Sequence, residues 1–449
     1  MRSLLLQVSL WAPITASVID LTTVYASFGA SPPYGTVITV SEVAPGLRGM
    51  AAATSINRGG LLLRMPLSSC LTCPRGPEDD VELSRLLLTA LVDADSPEWL
   101  AYSELLPHSM DAAMLWQPEE IAELQIPQAC EYAASLRERI LESANTAYHS
   151  LEDWRWAMAI VYSRSLVIEA PDGDLFRALI PFLDMCNHEP ESPVEYAARW
   201  SEREAFGEED EPDSPWRLTS DGHVELRAEA PISSHAEIRV PYGTETSAEL
   251  LVTSGFVPAP NSADYIPLFD DLEGLVQHVA GSHHLTDDQV IRRLAYLEEL
   301  DASEAPLAVR PGGLAASGHL LACTQLLVAR DDELQCFSER YVEAAGHHTL
   351  VLVPSPELSL SRVGEIEAAA ATECMRAARS LLSSYPTTAA SDEAQLARLK
   401  TANGEDSDGR LAVALGYRLS VKQLLGDFMT RCAELASQAA TQGEQLADL

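Results

Sequence analysis

The sequence is short of basic residues: it has only two lysines, Lys400 and Lys422, and 67 acidic residues against 30 basic ones. The resulting net charge of -37 argues against non-specific nucleic-acid binding, because phosphate contacts need clustered lysine and arginine. The excess of acid favours electrostatic attraction to a basic protein partner. A general acidic bias of the proteome would explain it equally well.

Cysteine is also sparse. The eight cysteines are scattered along 449 residues, so they do not form the disulfide framework of a small secreted domain. Cys70 and Cys73 form a single Cys-x-x-Cys pair with no second pair nearby, whereas a structural zinc site needs four ligands. We therefore expect two ordinary thiols here and no metal site.

Long apolar runs are absent as well. The uncharged stretch 3–19 is interrupted by Pro13 and several polar residues, and it is too short to span a bilayer. It also lacks a clear Ala-x-Ala cleavage site. We expect an N-terminal helical segment over residues 1–35, with a helix at 14–28 that ends at Gly29. No membrane association follows, and a cytoplasmic or nuclear location is expected, with plastid targeting left open.

The composition is that of an ordinary globular protein, with 47% hydrophobic and 22% charged residues. A chain of 449 residues is long enough for two or three domains. Branched apolar residues bounded by glycine and proline predict strands at 37–43 and 61–65, on either side of Arg48-Gly49.

Two later motifs contain four of the candidate site residues. An apolar strand-like segment at 175–182 leads directly into Asp184, Asn187 and His188. Further on, a predicted strand at 237–240 is followed by Tyr242 and Gly243, and then by a capping-box pattern that predicts a helix start. Arg164 lies just after a predicted helix at 151–163.

Helical periodicity dominates two other regions. In the first, the predicted helices lie at 82–92, 96–104, 118–124 and 129–149. The second follows the Tyr242 motif and reads as nearly all helix, consistent with a helical bundle; its predicted helices lie at 286–300, 314–329, 360–385 and 411–438. Between these regions, residues 202–213 contain seven acids and one base, and they read as a solvated loop or as an acidic rim for a basic substrate.

In this order the motifs resemble SET-domain protein methyltransferases. Within that family they are similar to the split-SET group, which includes the Rubisco lysine methyltransferases and the actin-histidine methyltransferases. The resemblance implies an α+β fold, with a β-rich SET domain over 36–258 that carries a helical insertion at about 78–150. An all-α substrate-binding domain of the Rubisco-methyltransferase type would follow over 259–435, and a tail over 436–449. The lack of cysteine between 259 and 322 fits the non-histone group.

The resemblance also implies a cofactor, S-adenosyl-L-methionine, and a role for each candidate residue. Tyr242 would be the catalytic residue, with its hydroxyl near the methyl donor and acceptor. Asp184 would contact the cofactor region, orient another residue, or cap the strand end. The expected cofactor-binding residues are Arg48, Gly49, Arg164, Asp184, Asn187, His188 and Tyr242, with Gly49 allowing the backbone to approach the cofactor closely.

The expected substrate is a non-histone protein, with a basic segment as one interpretation, and the enzyme is expected to be a monomer. Ser165, Leu183 and Pro241 stand where the actin-histidine branch has an asparagine and two aromatic residues. Those differences favour a lysine acceptor, and a histidine acceptor stays open. Ser247, where the family usually has asparagine, leaves a third interpretation open: a catalytically inactive SET-fold binding module.

Overall fold

In the computed structural model, contacts divide the chain into two compact units. The first contains the described residues within Met1–His108, Trp156–Asn187 and Pro212–Val240. The second contains those within Ser109–Arg155, His188–Glu211 and Pro241–Leu449. The structure describes residues 20–44, 47–92, 96–145, 149–170, 172–189, 216–243, 245–258, 261–300, 302, 305–344, 347–401 and 409–447. The acidic stretch 202–213 and the first part of the predicted N-terminal helix lie outside these residues.

The first unit begins with helix α1 (Leu21–Ser27), which Asp20 caps through a hydrogen bond from the Thr22 N–H. Gly29 follows the helix with a φ of 70°, a left-handed conformation that suits glycine, so the predicted helix end is confirmed. Strand β1 (Ile38–Ala44) then pairs antiparallel with β2 (Leu47–Ala52), which contains Arg48 and Gly49.

Three small sheets form the β-rich part of the first unit. The sheet that holds β2 has the order β1-β2-β10-β7, in which β10 is Glu237–Val240 and β7 is the short strand Asn187–His188. The second sheet has the order β3-β9-β8, and its strands are Leu61–Pro66, His223–Arg227 and Trp216–Leu218. The third has the order β4-β6-β5, and its strands are Leu71–Pro74, Leu175–Leu179 and Leu166–Glu169.

Helices α2 (Asp79–Ala90) and α3 (Pro97–Ser103) also belong to this unit, as does most of α6 (Leu151–Arg164). They lie close to the predicted ranges because apolar residues recur at helical spacing there. The predicted strand at 175–182 is shorter than expected. It ends at Leu179, and a 3₁₀ turn at Leu183–Met185 follows it, so Asp184 lies within a turn and not at a strand end.

The second unit contains the rest of the predicted insertion, with helices α4 (Pro118–Ala122) and α5 (Pro127–Ser143). Helix α5 stops at Ser143, six residues before the predicted end at 149, because Ala144 adopts an extended conformation. Helix α7 (Ser247–Ser254) begins at the predicted capping box, where the Thr246 hydroxyl accepts from the Glu249 N–H. The capping box predicted at Thr246 is confirmed.

The tail of the second unit is mainly helical. Its helices are α8 (Leu272–His283), α9 (Asp287–Glu299), α10 (Gly318–Val328), α11 (Leu360–Ser384), α12 (Ala389–Thr401) and α13 (Gly409–Ala447). Thr286 caps α9 in a second capping box, as predicted. Helices α8 and α12 were not predicted, and α13 extends beyond the predicted range of 411–438 at both ends.

The expectation that the tail is nearly all helix needs one correction. An antiparallel hairpin of β13 (Phe337–Ala344) and β14 (His347–Pro354) lies between α10 and α11. Two further two-residue strands, β11 (Ile266–Pro267) and β12 (Ala308–Val309), also pair. Runs of eight residues or fewer between long helical patterns are too short for periodicity to identify them as strands, so these strands were not predicted.

Within the second unit, the insertion packs against the last tail helix. Arg410 of α13 donates hydrogen bonds to Asp111 and Glu120, and Arg418 lies 3.6 Å from a Glu123 carboxylate oxygen. The predicted domain bounds at 36–258 and 259–435 stay a prediction. Among the residues that the structure describes, no helix is long and apolar enough to cross a membrane.

Candidate functional site

The candidate residues of the first unit form two hydrogen-bonded groups, and the first is centred on Asn187. The Asn187 side-chain amide donates to the Arg48 backbone oxygen at 3.2 Å and to the Glu237 carboxylate at 2.7 Å. A carboxylate only accepts hydrogen bonds, so the Asn187 –NH₂ must face Glu237. Both N–H donors are thus committed to the chain, and the amide oxygen of Asn187 remains as an acceptor.

Gly49 lies directly against this amide. A Cβ atom on Gly49 would lie 2.7 Å from the Asn187 amide nitrogen and 3.0 Å from a Glu237 carboxylate oxygen. The sequence analysis explained Gly49 by a close approach to the cofactor. Its described neighbours include the Asn187 side chain, so glycine also leaves space for that amide, and the approach to the cofactor stays a prediction.

Arg48 contributes its backbone more than its side chain. Its carbonyl accepts from Asn187, whereas its guanidinium donates to the Leu105 backbone oxygen at 3.1 Å. The Arg48 residue itself is exposed.

The second group is built around Asp184. Its carboxylate accepts a hydrogen bond from the Tyr102 hydroxyl, and Arg164 Nη1 donates to the Asp184 backbone oxygen at 2.7 Å. The same Arg164 nitrogen lies 3.5 Å from the Asp184 carboxylate, whose side chain is 3% exposed. Burial raises the pKa of the Asp184 carboxyl, and the Arg164 charge opposes this shift.

Tyr102 extends this group to the turn that precedes Asn187. Its hydroxyl accepts a hydrogen bond from the Phe182 N–H at 2.9 Å. Phe182 has a φ of 67°, a left-handed conformation that is costly for a residue with a side chain. Tyr102 thus links the Asp184 carboxylate to the Phe182 backbone, which fits an orienting role for Asp184; its role at the cofactor stays a prediction.

The candidate residues of the second unit are His188 and Tyr242. The Tyr242 N–H donates to His188 Nδ1 at 3.3 Å, and the two ring centroids are 5.2 Å apart. Phe256 completes an aromatic cluster, with its ring centroid 5.9 Å from His188 and 6.4 Å from Tyr242.

The contacts of His188 determine its protonation. Burial lowers the pKa of His188, so the imidazole is neutral at pH 7. Since Nδ1 accepts from Tyr242, the proton must be on Nε2. In the part of the chain that the structure describes, the buried Nε2 has no hydrogen-bond partner. His188 thus presents a buried donor that requires an acceptor from elsewhere.

Ser247, the departure from the family pattern, has a structural explanation. Its side chain is buried, its N–H donates to Asp264 at 2.6 Å, and its hydroxyl donates to the same carboxylate at 2.7 Å. These bonds anchor the start of α7 shortly after Tyr242.

The sequence analysis missed three residues that shape the site, and each is distant in sequence from its partner. Glu237 orients Asn187, Tyr102 holds Asp184, and Phe256 packs against His188. Phe256 directly follows Gly255, the left-handed residue that ends α7, and this Gly-Phe pair after the capping box was a usable signal. For Tyr102, 82 residues from Asp184, sequence spacing gives none.

Comparison with known proteins finds a matching family model and similar enzymes. Residues 284–425 match the family model for Rubisco LSMT substrate-binding. An actin-histidine N-methyltransferase of Drosophila melanogaster is 26% identical over 188 residues, which cover 40% of this chain and 29% of that protein. The same enzyme of Canis lupus familiaris is 26% identical over 207 residues, which cover 42% of this chain and 32% of that protein. The matched segment thus spans about a third of these relatives.

Solved structures show the same fold over most of the chain. The SET domain of LSMT bound to lysine and AdoHcy aligns with a TM-score of 0.55 and 18% identity, covering 95% of this chain and 94% of that one. Rubisco LSMT bound to AdoMet aligns with a TM-score of 0.54 and the same identity and coverage. The resemblance to SET-domain methyltransferases of this group, and the α+β fold that it implied, are confirmed.

Proposed function

We propose, from the SET fold that this chain shares with the LSMT structures, that it is an S-adenosyl-L-methionine-dependent protein methyltransferase. The proposed acceptor is a lysine side chain of a non-histone protein. The observation that carries the proposal is the neutral His188 ring. It accepts a hydrogen bond from the Tyr242 backbone, and its buried Nε2–H has no partner among the described residues. A side chain held in this way can donate the Nε2–H hydrogen bond to a ligand.

The described residues fit this cofactor, which supplies a methyl group activated by a positive sulfur. The amide oxygen of Asn187 can accept from an ammonium group, since both of its N–H donors are already used within the chain. The Nε2–H of His188 can donate to a ring nitrogen of an adenine. Arg164 and Asp184 position Asn187, because they hold the turn that leads to it.

Tyr242 is proposed as the catalytic residue. Its phenol can accept a hydrogen bond from the acceptor nitrogen and orient it without adding a full charge. A lysine acceptor must lose its proton before it attacks, whereas a histidine is largely neutral near pH 7.

Two of the three positions that favoured lysine have defined surroundings, Ser165 half-buried and Leu183 buried. The Ser165 hydroxyl donates to the Val161 backbone oxygen at 2.5 Å and accepts from Arg177 at 2.8 Å. Leu183 is 1% exposed. Neither position therefore offers the groups that the actin-histidine branch carries there. The histidine alternative rests on the names of the relatives.

Labelling with tritiated S-adenosyl-L-methionine in a cell lysate tests the proposal. After the labelled proteins are hydrolysed to amino acids, methyllysine is expected and methylhistidine is not. Label in methylhistidine would establish the alternative acceptor. Calorimetric binding of the cofactor without any label transfer would instead support an inactive SET-fold binding module.

The tail over 259–435 is proposed as the region that binds the protein substrate. The family-model match at 284–425 lies inside it and supports this assignment. A monomeric enzyme in the cytoplasm or nucleus stays the expectation from the sequence.

Gly49→Ala tests the packing around Asn187. The added methyl group would push the Asn187 amide away, because its nearest neighbour would lie at 2.7 Å. We expect the dissociation constant for S-adenosyl-L-methionine to rise about tenfold, as for the partial loss of one hydrogen bond to a charged group. Calorimetric titration measures the change. Gly76→Ala is the matched control, since no atom lies within 4 Å of a Cβ there. Equal affinity in both variants would contradict the assigned role.

A further inference from the structure

A cavity of about 170 Å³ opens in the second unit between α5, α7, α13 and the segment around β11. Three tyrosines line it: Tyr132, Tyr265 and Tyr417. Tyr417 is 4% exposed and Tyr265 is 42% exposed, so one ring is buried while another is open to solvent. None of the wall residues is His188 or Tyr242, so the cavity is not the candidate methyl-transfer site.

Two acidic residues, Glu249 and Asp264, line the same cavity. Glu249 accepts from the Thr246 N–H at 2.7 Å and from its hydroxyl at 2.9 Å. Asp264 accepts from the N–H of Ser247 at 2.6 Å and from its hydroxyl at 2.7 Å. All four donors are neutral, and within the described residues neither carboxylate forms a salt bridge. Among the residues that the structure describes, both carboxylates therefore lack a cationic partner.

The electrostatic cost of this arrangement is visible at Asp264. Burial raises the pKa of its carboxyl, and the charge of Glu249 acts in the same direction. A cation placed between the two carboxylates would lower this cost, because opposite charges attract strongly where water is partly excluded.

The aromatic part of the wall suits the same kind of ligand. The guanidinium carbon of Arg310 lies 5.2 Å from the Tyr265 ring centroid, so the fold already places one cation against this ring. Arg310 is not itself a wall residue. Aromatic faces attract cations and also pack against the methylene stems of lysine and arginine.

We propose that this cavity binds the side chain of a lysine or arginine of the protein substrate, at a residue other than the methyl acceptor. The methylene stem would pack against the tyrosines while the charged head faces Glu249 and Asp264. This proposal rests on the proposed function for the identity of its partner. It would make the enzyme select protein substrates that carry a second basic residue in addition to the acceptor.

Nα-acetyl-L-arginine methylamide is the probe, titrated into the full-length protein at low ionic strength and followed by ligand-observed NMR. The neutral comparison is Nα-acetyl-L-norleucine methylamide. Glu249→Gln removes the charge and retains the capping box, because glutamine also serves at this position. We expect this variant to bind the arginine probe about tenfold more weakly than the wild type. The matched control, Glu393→Gln, removes an exposed charge from α12 and should bind like the wild type.

Equal binding of the arginine probe to wild type and Glu249→Gln would overturn the proposal, as would equally tight binding of the norleucine probe. If Glu249→Gln lowers the melting temperature, the Tyr265→Leu variant is used as the test in its place. We expect it to bind the arginine probe about tenfold more weakly, because it lacks the aromatic face. Probe binding without any methyl transfer would overturn the proposed function and leave a cation site. Methyl transfer without selective probe binding would overturn only the cavity proposal.

Discussion

Turnover of the Tyr242→Phe variant is expected to fall about 10²–10³-fold, while its affinity for S-adenosyl-L-methionine stays at the wild-type value. The substitution removes only the hydroxyl, and a loss of this size is typical when one positioned polar contact at a transition state is removed. The phenylalanine ring can keep the packing against His188 and Phe256, and the backbone bond to His188 does not involve the side chain. Single-turnover methyl transfer to the labelled lysate protein measures the effect.

The matched control is Phe256→Leu, which alters the same aromatic cluster without touching a hydroxyl. Its turnover should fall much less than that of Tyr242→Phe. If Tyr242→Phe turns over like the wild type, Tyr242 has no catalytic role, and the proposed mechanism is wrong.

Asn187→Ala is expected to act on cofactor binding. Removing the amide takes away the proposed acceptor of the cofactor's ammonium group, and it leaves Glu237 and the Arg48 carbonyl without their donor. Loss of a hydrogen bond to a charged group costs roughly 1.5–3 kcal/mol, which is about ten- to a hundredfold in the dissociation constant. Calorimetric titration with S-adenosyl-L-methionine measures the change.

Asn261→Ala is a suitable control for this variant. Asn261 is a buried residue whose amide donates to the Glu245 backbone oxygen in the second unit, so its loss should affect stability more than cofactor affinity. An unchanged affinity in Asn187→Ala would mean that the Asn187 amide is purely structural.

The sequence by itself predicted the elements whose signals are local. The capping boxes at Thr246 and Thr286 predicted two helix starts, because a side chain and a backbone N–H three residues apart satisfy each other without help from the rest of the fold. Gly29 predicted the end of α1, because glycine readily adopts the left-handed conformation that ends a helix. The order of the Arg48-Gly49, Asn187-His188 and Tyr242-Gly243 motifs gave the family resemblance and the α+β fold, which the comparisons confirmed.

Only the tertiary structure decided how the site residues are held. Gly49 faces the Asn187 amide, and Glu237 fixes which way that amide points, across 50 residues of chain. The Tyr102 contact with Asp184 and the proton position on His188 likewise depend on partners far away in sequence. Local sequence patterns do not predict such pairings, because the pairings form only when separate strands and helices pack. Sequence therefore determined which residues are candidates, and packing determined their hydrogen bonds, charges and neighbours.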